Sequence, residues 1–67
     1  MQDREPTVIR WRELGVDAWE IIGEIPASVQ DVDETYVAAF LFFLGWCNTG
    51  SDLYQYKRLS DKEWKDL

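Results

Sequence analysis

The sequence predicts a single small α+β domain over residues 1–67, with an antiparallel sheet of about three strands, a short N-terminal helix and a short C-terminal helix. Three observations lead to this prediction: alternating apolar and acidic residues over 19–25, an uninterrupted apolar run over 36–47, and helix-boundary patterns near both ends. The chain has 67 residues, of which 46% are hydrophobic, so it has room for one core and is not a disordered chain.

The first element is predicted to be a helix over residues 6–15. Pro6 suits the first turn of a helix, and Gly15 suits the position just after its end. Between them, apolar residues recur at helical spacing: Val8, Trp11 and Leu14. The alternation of Ile9 and Trp11 with two arginines would also fit a strand, but the ending in Leu14 and Gly15 favours the helix.

The second element is a predicted strand that Pro26 ends. Its two faces differ in polarity, with Trp19, Ile21 and Ile25 on one face and Glu20 and Glu24 on the other. Such period-two alternation is typical of a strand with one buried face.

The apolar run over 36–47 contains no charged residue. It is too short to cross a membrane, which takes about 20 apolar residues. Its aromatic and β-branched residues favour a strand, which would turn through residues 48–51 into a second strand over 53–58. The alternative is a helix that begins at Asp31 as N-cap, with Glu34 three residues later, and stops at Gly45. A strand here would have two apolar faces, and either a second copy or partner protein, or the two short flanking segments of the chain, would cover the second one.

The C-terminal segment over 59–67 is predicted to form a short helix. Ser60 and Glu63 have the spacing of a capping box, and Leu59 is placed to pack on Trp64. We expect Trp64 and Leu67 to dock this helix on the sheet.

Two segments resemble a family of small bacterial and phage domains of unknown function. Residues 13–22 resemble that family's core, which reads E-L-G-x-x-G-W-E followed by two hydrophobic residues, and residues 56–59 are similar to its closing F-K-R-P strand. Ala18 stands where the family has glycine. The resemblance implies a helix followed by an antiparallel sheet, and it implies no catalytic residues.

Charge is distributed unevenly along the chain. Residues 13–56 hold eight acidic residues and no Lys or Arg, and the formal net charge of the whole chain is −6. Direct binding of DNA or RNA needs basic groups against phosphates, so this distribution argues against it. An acidic field instead suits a protein partner with a basic surface, and the alternative is that these acids simply form a solvated face.

The sequence offers little for catalysis, and we expect no enzyme activity and no cofactor. It contains no histidine, the commonest general base and metal ligand. Cys47 has no such partner and ends an apolar run, where a thiol is expected to be inert. Asp31, Asp33 and Glu34 lack the pattern of a calcium loop, so no metal site is predicted. A single cysteine and an N-terminus without a secretory apolar region predict a cytoplasmic location.

These observations bound the function without revealing it. The favoured hypothesis is a small acidic protein-binding module, acting as a phage-type inhibitor or modulator of a host nucleic-acid enzyme such as a nuclease, a CRISPR complex or a polymerase. Its predicted partner-binding residues are five acids and two aromatic anchors: Glu20, Glu24, Asp31, Asp33, Glu34, Tyr54 and Tyr56. The alternative is a structural or regulatory homo-oligomer, such as a homodimer, that buries an apolar sheet face. A membrane-associated protein is the third hypothesis.

Overall fold

The computed structural model describes residues 5–29, 31–46 and 52–67. Four strands and one helix occur in these ranges, in the order β1 (Thr7–Glu13), β2 (Glu20–Ile25), α1 (Glu34–Phe43), β3 (Asp52–Arg58) and β4 (Lys65–Asp66). The strands form one antiparallel sheet in the order β2-β1-β3-β4, and α1 packs on one face of it. The predicted α+β class is confirmed, although the number and position of the elements differ.

The apolar run forms helix α1, so the favoured strand interpretation is wrong. The N-cap is Asp33 rather than Asp31, and its Oδ1 accepts a hydrogen bond from the backbone N–H of Tyr36 at 2.9 Å. The helix ends as the alternative predicted, at Gly45, whose φ of 94° is favoured for glycine. The N–H groups of Gly45 and Trp46 donate to the carbonyls of Phe42 and Leu41, which is a Schellman ending. The predicted turn over 48–51 and Cys47 lie outside the described residues.

The N-terminal element is a central strand rather than a helix. Strand β1 pairs with β2 on one side and with β3 on the other. Thr7 and Ile9 are buried against α1, while Arg10 lies on the opposite face, so the alternation outweighs the weaker helical spacing. Gly15, with φ of 90°, ends this strand in a turn, in which the N–H of Val16 donates to the carbonyl of Glu13.

The two other predicted strands are confirmed as β2 and β3, but β2 contains a β-bulge. Ile9 pairs with Gly23, whereas Arg10 pairs with Ile21, so Ile22 is the extra residue. The bulge turns Ile21 to the face away from α1, where its side chain is 62% exposed. It also places Glu24, the partner of Val8, on the opposite face from Glu20, the partner of Trp11. The expectation that these two acids share a face is therefore wrong.

The C-terminal segment is not a helix, because residues 59–63 form a turn and a bend before the short strand β4. The backbone N–H of Ser60 donates a hydrogen bond to Oε1 of Glu5 at 2.9 Å. Ser60 therefore contacts the N-terminal segment and does not cap a helix. Hydrogen bonding from the Ser60 side chain, together with this backbone bond, lowers the pKa of the Glu5 carboxyl. Leu67 still packs against the core and Trp64 still lies over the sheet, as expected, although neither is helical.

The core lies between the sheet and α1. Its buried side chains come from β1, β2, α1 and β3: Ile9, Ile25, Val37, Leu41, Tyr54 and Tyr56. Phe40 of the helix lies over Gly23 of β2, where an added Cβ atom would lie 3.2 Å from Cε2 of Phe40. A glycine at this point of the sheet lets the helix lie directly on the strand.

Candidate interaction surfaces

The outward side of α1 is apolar and exposed. We call it the outer helix face, and it consists of Tyr36, Ala38, Ala39, Phe42 and Phe43. The side chain of Phe42 is 75% exposed and that of Phe43 is 85% exposed. Isolated apolar residues on a surface are ordinary, but contiguous aromatic groups of this kind mark interaction sites.

A shallow apolar groove runs along this face. It has a volume of about 360 Å³ and is lined by Tyr36, Ala39, Phe40 and Phe43. Phe43 borders the groove and also projects into solvent, so one short helix supplies both a protruding ring and a depression next to it.

Glu20, Asp33 and Glu34 lie on the helix side of the sheet, and Asp31 is exposed in the segment that leads into α1. We call these four of the five predicted carboxylates the acidic rim. Asp33 and Glu34 stand at the start of α1. Glu20 stands near its other end, because its strand partner Trp11 stacks on Trp46 with ring centroids 5.3 Å apart. The fifth carboxylate, Glu24, is separated from the rim by the β-bulge. The binding role of these acids stays a prediction.

The two tyrosines predicted to be exposed anchors are core residues instead. Tyr54 is 5% exposed and Tyr56 is 8% exposed. Tyr54 lies edge-on to Trp46, with ring centroids 6.4 Å apart. Burial raises the pKa of the Tyr56 hydroxyl, and the negative charges of Glu34 and Asp33 raise it further. Both rings are covered because β3 is an inner strand of the sheet, beneath the helix.

The exposed aromatic residues that sequence reasoning missed are Phe42 and Phe43. The signal was present in the helical alternative, because a helix that buries Val37 and Leu41 must turn the residues next to them outward. The strand interpretation hides this signal, because it assigns the exposed apolar surface of the run to a sheet face. The apolar second sheet face that was predicted is thus replaced by an apolar helix face.

The other side of the sheet, which we call the open sheet face, is organised around Arg10. Its guanidinium lies between two indoles, with Cζ 4.1 Å from the ring centroid of Trp19 and 4.0 Å from that of Trp64. Its Nε and Nη2 donate to Oε1 of Gln55 at 3.0 and 2.6 Å, and Nε2 of Gln55 donates to Asp66 at 2.7 Å. Desolvation lowers the pKa of Arg10, as does the nearby positive charge of Arg12. Arg10 therefore connects Trp19, which directly precedes the edge strand β2, with Trp64, which directly precedes the edge strand β4.

Two further cations lie on the same indoles. The guanidinium of Arg12 lies 5.1 Å from the ring centroid of Trp19, and Nζ of Lys57 lies 5.2 Å from that of Trp64. Arg12 also donates to the carbonyl of Val16 at 2.9 Å, and Lys57 to that of Asp61 at 3.0 Å. We interpret this cluster as structural, because the cations cover indoles that no second helix of the described chain covers.

The described residues contain no group of three or more His, Cys, Asp or Glu side chains arranged to hold a metal ion. Within the same ranges, no helix is long and apolar enough to cross a membrane. A polar pocket of about 160 Å³ lies at the end of β3, but its charged lining is mixed, with Asp61 beside Arg58 and Lys65. Comparison of the chain with protein-family models, with curated proteins and with solved structures found no match.

Proposed function

We propose that this protein is a non-catalytic binding module that presents the outer helix face and the acidic rim to a partner protein. The observation that carries the proposal is the exposure of two adjacent phenylalanine rings, at 75% and 85%, in a helix that also lines an apolar groove. Fully burying one such side chain is worth about 1.5–3 kcal/mol, so Phe42 and Phe43 together can supply a central anchor.

The acidic rim defines the kind of partner. Acids stand near both ends of α1, and the sequence contains no Lys or Arg from residue 13 to residue 56. A partner that offers an apolar cleft bordered by Lys and Arg would match both the apolar centre and the charged borders. Complementary charge of this kind chiefly speeds association and selects between partners.

Nucleic-acid enzymes are the partner class that we favour. Their substrate grooves carry basic side chains against phosphates, and an acidic protein can occupy such a groove. The resemblance of residues 13–22 and 56–59 to small bacterial and phage domains supports the same direction, as an inhibitor or modulator of a host nuclease, CRISPR complex or polymerase.

Two variants of equal charge change test the proposal. Glu34→Lys alters the acidic rim, whereas Glu24→Lys makes the same change on the open sheet face. A partner captured from bacterial host extract by the wild-type protein should bind Glu34→Lys more slowly and with a weaker salt dependence, and it should bind Glu24→Lys normally. DNA or RNA should compete with the wild-type protein for that partner.

The anchor needs its own variant. Phe43→Ser removes one exposed ring and introduces no charge. Because Phe43 is not a core residue, the fold should survive, while partner binding should weaken by at least about tenfold. A captured protein that binds Phe43→Ser and Glu34→Lys as tightly as it binds the wild type would contradict the proposal.

A further inference from the structure

We infer that, in the free protein, a second copy of the chain covers the outer helix face, so that two α1 helices pack antiparallel about a two-fold axis at Ala39. This inference concerns the same surface as the proposed function but does not depend on it, because the purified protein alone should form the dimer. Its consequence is regulatory, since a partner must displace the second copy to reach Phe42 and Phe43.

The geometry of α1 is self-complementary about Ala39. This small exposed residue lets two helix backbones approach closely at the centre of the face. A two-fold axis there sets Phe42 of one copy opposite Tyr36 of the other, and Phe43 opposite Thr35. Phe42 of each copy then lies opposite Tyr36 of the other copy, which lines the groove together with Ala39, Phe40 and Phe43. A symmetric interface requires a patch of this kind, with the projecting and receiving parts on the same surface.

Charge selects the antiparallel orientation. No charged residue occurs from residue 35 to residue 46, so the centre of the contact desolvates no ionised group. Glu34 lies five positions before Ala39, so antiparallel packing holds the two Glu34 residues about 15 Å apart along the axis. That separation exceeds the screening length of about 8 Å at physiological ionic strength, whereas parallel packing would bring the same carboxylates together.

The available area indicates a weak dimer. Tyr36, Phe42 and Phe43 are 39%, 75% and 85% exposed, and aromatic side chains of this size offer about 150–250 Å² each. These three therefore contribute about 400 Å² per copy. With Ala38 and Ala39 added, the total is about 1,000 Å² over both copies, slightly below the roughly 1,200 Å² at which stable interfaces begin. A reversible dimer of roughly micromolar affinity is expected, which a partner could displace.

Sedimentation equilibrium of the full chain tests the inference. The wild type should show a reversible monomer–dimer equilibrium that tightens as salt is raised from about 0.01 M, where the screening length of about 30 Å leaves the repulsion between two chains of net charge −6 unscreened. Phe43→Glu should weaken dimerisation by at least about tenfold while the circular dichroism spectrum stays unchanged. The matched control is Ile21→Glu, which places the same charge at an exposed apolar site on the open sheet face and should leave the dimer intact.

Cysteine cross-linking tests the orientation without disturbing the apolar contact. In a Cys47→Ser background, Ala39→Cys should form a covalent dimer on mild oxidation, because the axis brings the two Ala39 positions together. Glu34→Cys should not form a covalent dimer, because the Glu34 positions of the two chains lie at opposite ends of the interface.

The results that would overturn the inference are specific. They are a wild-type protein that stays monomeric at all concentrations, equal loss of the dimer in Phe43→Glu and Ile21→Glu, or efficient cross-linking through Glu34→Cys. The sign of the salt effect separates this inference from the proposed function, because salt should strengthen the dimer and weaken binding to a basic partner.

Discussion

Replacing Arg10 with methionine tests whether the cation between Trp19 and Trp64 holds the open sheet face together. Methionine keeps an unbranched apolar stem of similar length but removes the guanidinium. The variant loses two contacts of 4.1 and 4.0 Å to the indole rings and two hydrogen bonds to Gln55. It should therefore release both Trp-containing segments from the centre of the sheet.

The expected loss follows from these contacts. A partly desolvated cation–π contact is worth about 0.5–2 kcal/mol, and the net worth of a hydrogen bond is about 1 kcal/mol. Allowing for the methionine stem that still packs on the indoles, we expect the free energy of unfolding to fall by about 2–3 kcal/mol. A domain of this size has a total stability of only about 3–10 kcal/mol. The melting temperature should therefore drop by roughly 10–20 °C.

The assay is urea denaturation followed by tryptophan fluorescence, with Lys62→Met as the control that removes one positive charge from an exposed residue. A double-mutant cycle of Arg10→Met with Trp64→Leu should give a coupling energy of about 1 kcal/mol. If Arg10→Met and Lys62→Met lose the same stability, or if the coupling energy is zero, the stack contributes only charge and the reasoning is refuted.

Three further predictions concern α1 and the core. Asp33→Ala removes the N-cap and should lower the free energy of unfolding by about 1 kcal/mol in urea denaturation, whereas Asp31→Ala, outside the cap, should leave it unchanged; equal effects would contradict the assignment of the cap. Gly45→Ala forces an L-residue to φ of 94° and should cost about 1 kcal/mol by the same assay, so a neutral result would argue against the Schellman ending. The pKa of Tyr56 is raised above 10.0 in the folded state, so its contribution to stability is complete below pH 10 and is lost as the pH rises further. Tyr56→Phe should make the alkaline decline in melting temperature shallower, and an unchanged decline would contradict it.

The strands β2 and β3 could be predicted because their signals are local. The alternation of β2 and its ending at Pro26 come from adjacent residues, and residues 53–58 are predicted as a strand from the turn residues 48–51 that precede them. Their neighbours in the sheet were not predictable in the same way, since β3 pairs with β1 rather than with the apolar run. The β-bulge at Ile22 also depends on a register that two separate strands determine together, and it decides on which face Glu20 and Glu24 lie.

The helical or extended state of 36–47 depends on the rest of the molecule. The run is apolar in every direction, so neither a period of two nor one of 3.6 residues stands out. The sheet needs one layer to bury Ile9, Ile25 and Tyr56, and a helix resting on Gly23 provides it. Tertiary contacts also outweigh local patterns elsewhere. In β1, pairing with strands on both sides outweighs a weak helical pattern. At the C-terminus, Trp64 contacts Arg10 on the open sheet face without forming part of a helix.

The sequence by itself determined the α+β class, two of the strands, the glycine at which a helix in the apolar run would stop, and the absence of Lys and Arg from residue 13 to residue 56. These features depend on composition and on neighbouring residues. Only the tertiary structure decided that Tyr54 and Tyr56 are buried and that Phe42 and Phe43 are exposed. The physical reason is that a uniformly apolar segment does not specify its own inner side; the sheet against which it packs selects which residues face the core and which remain available for binding.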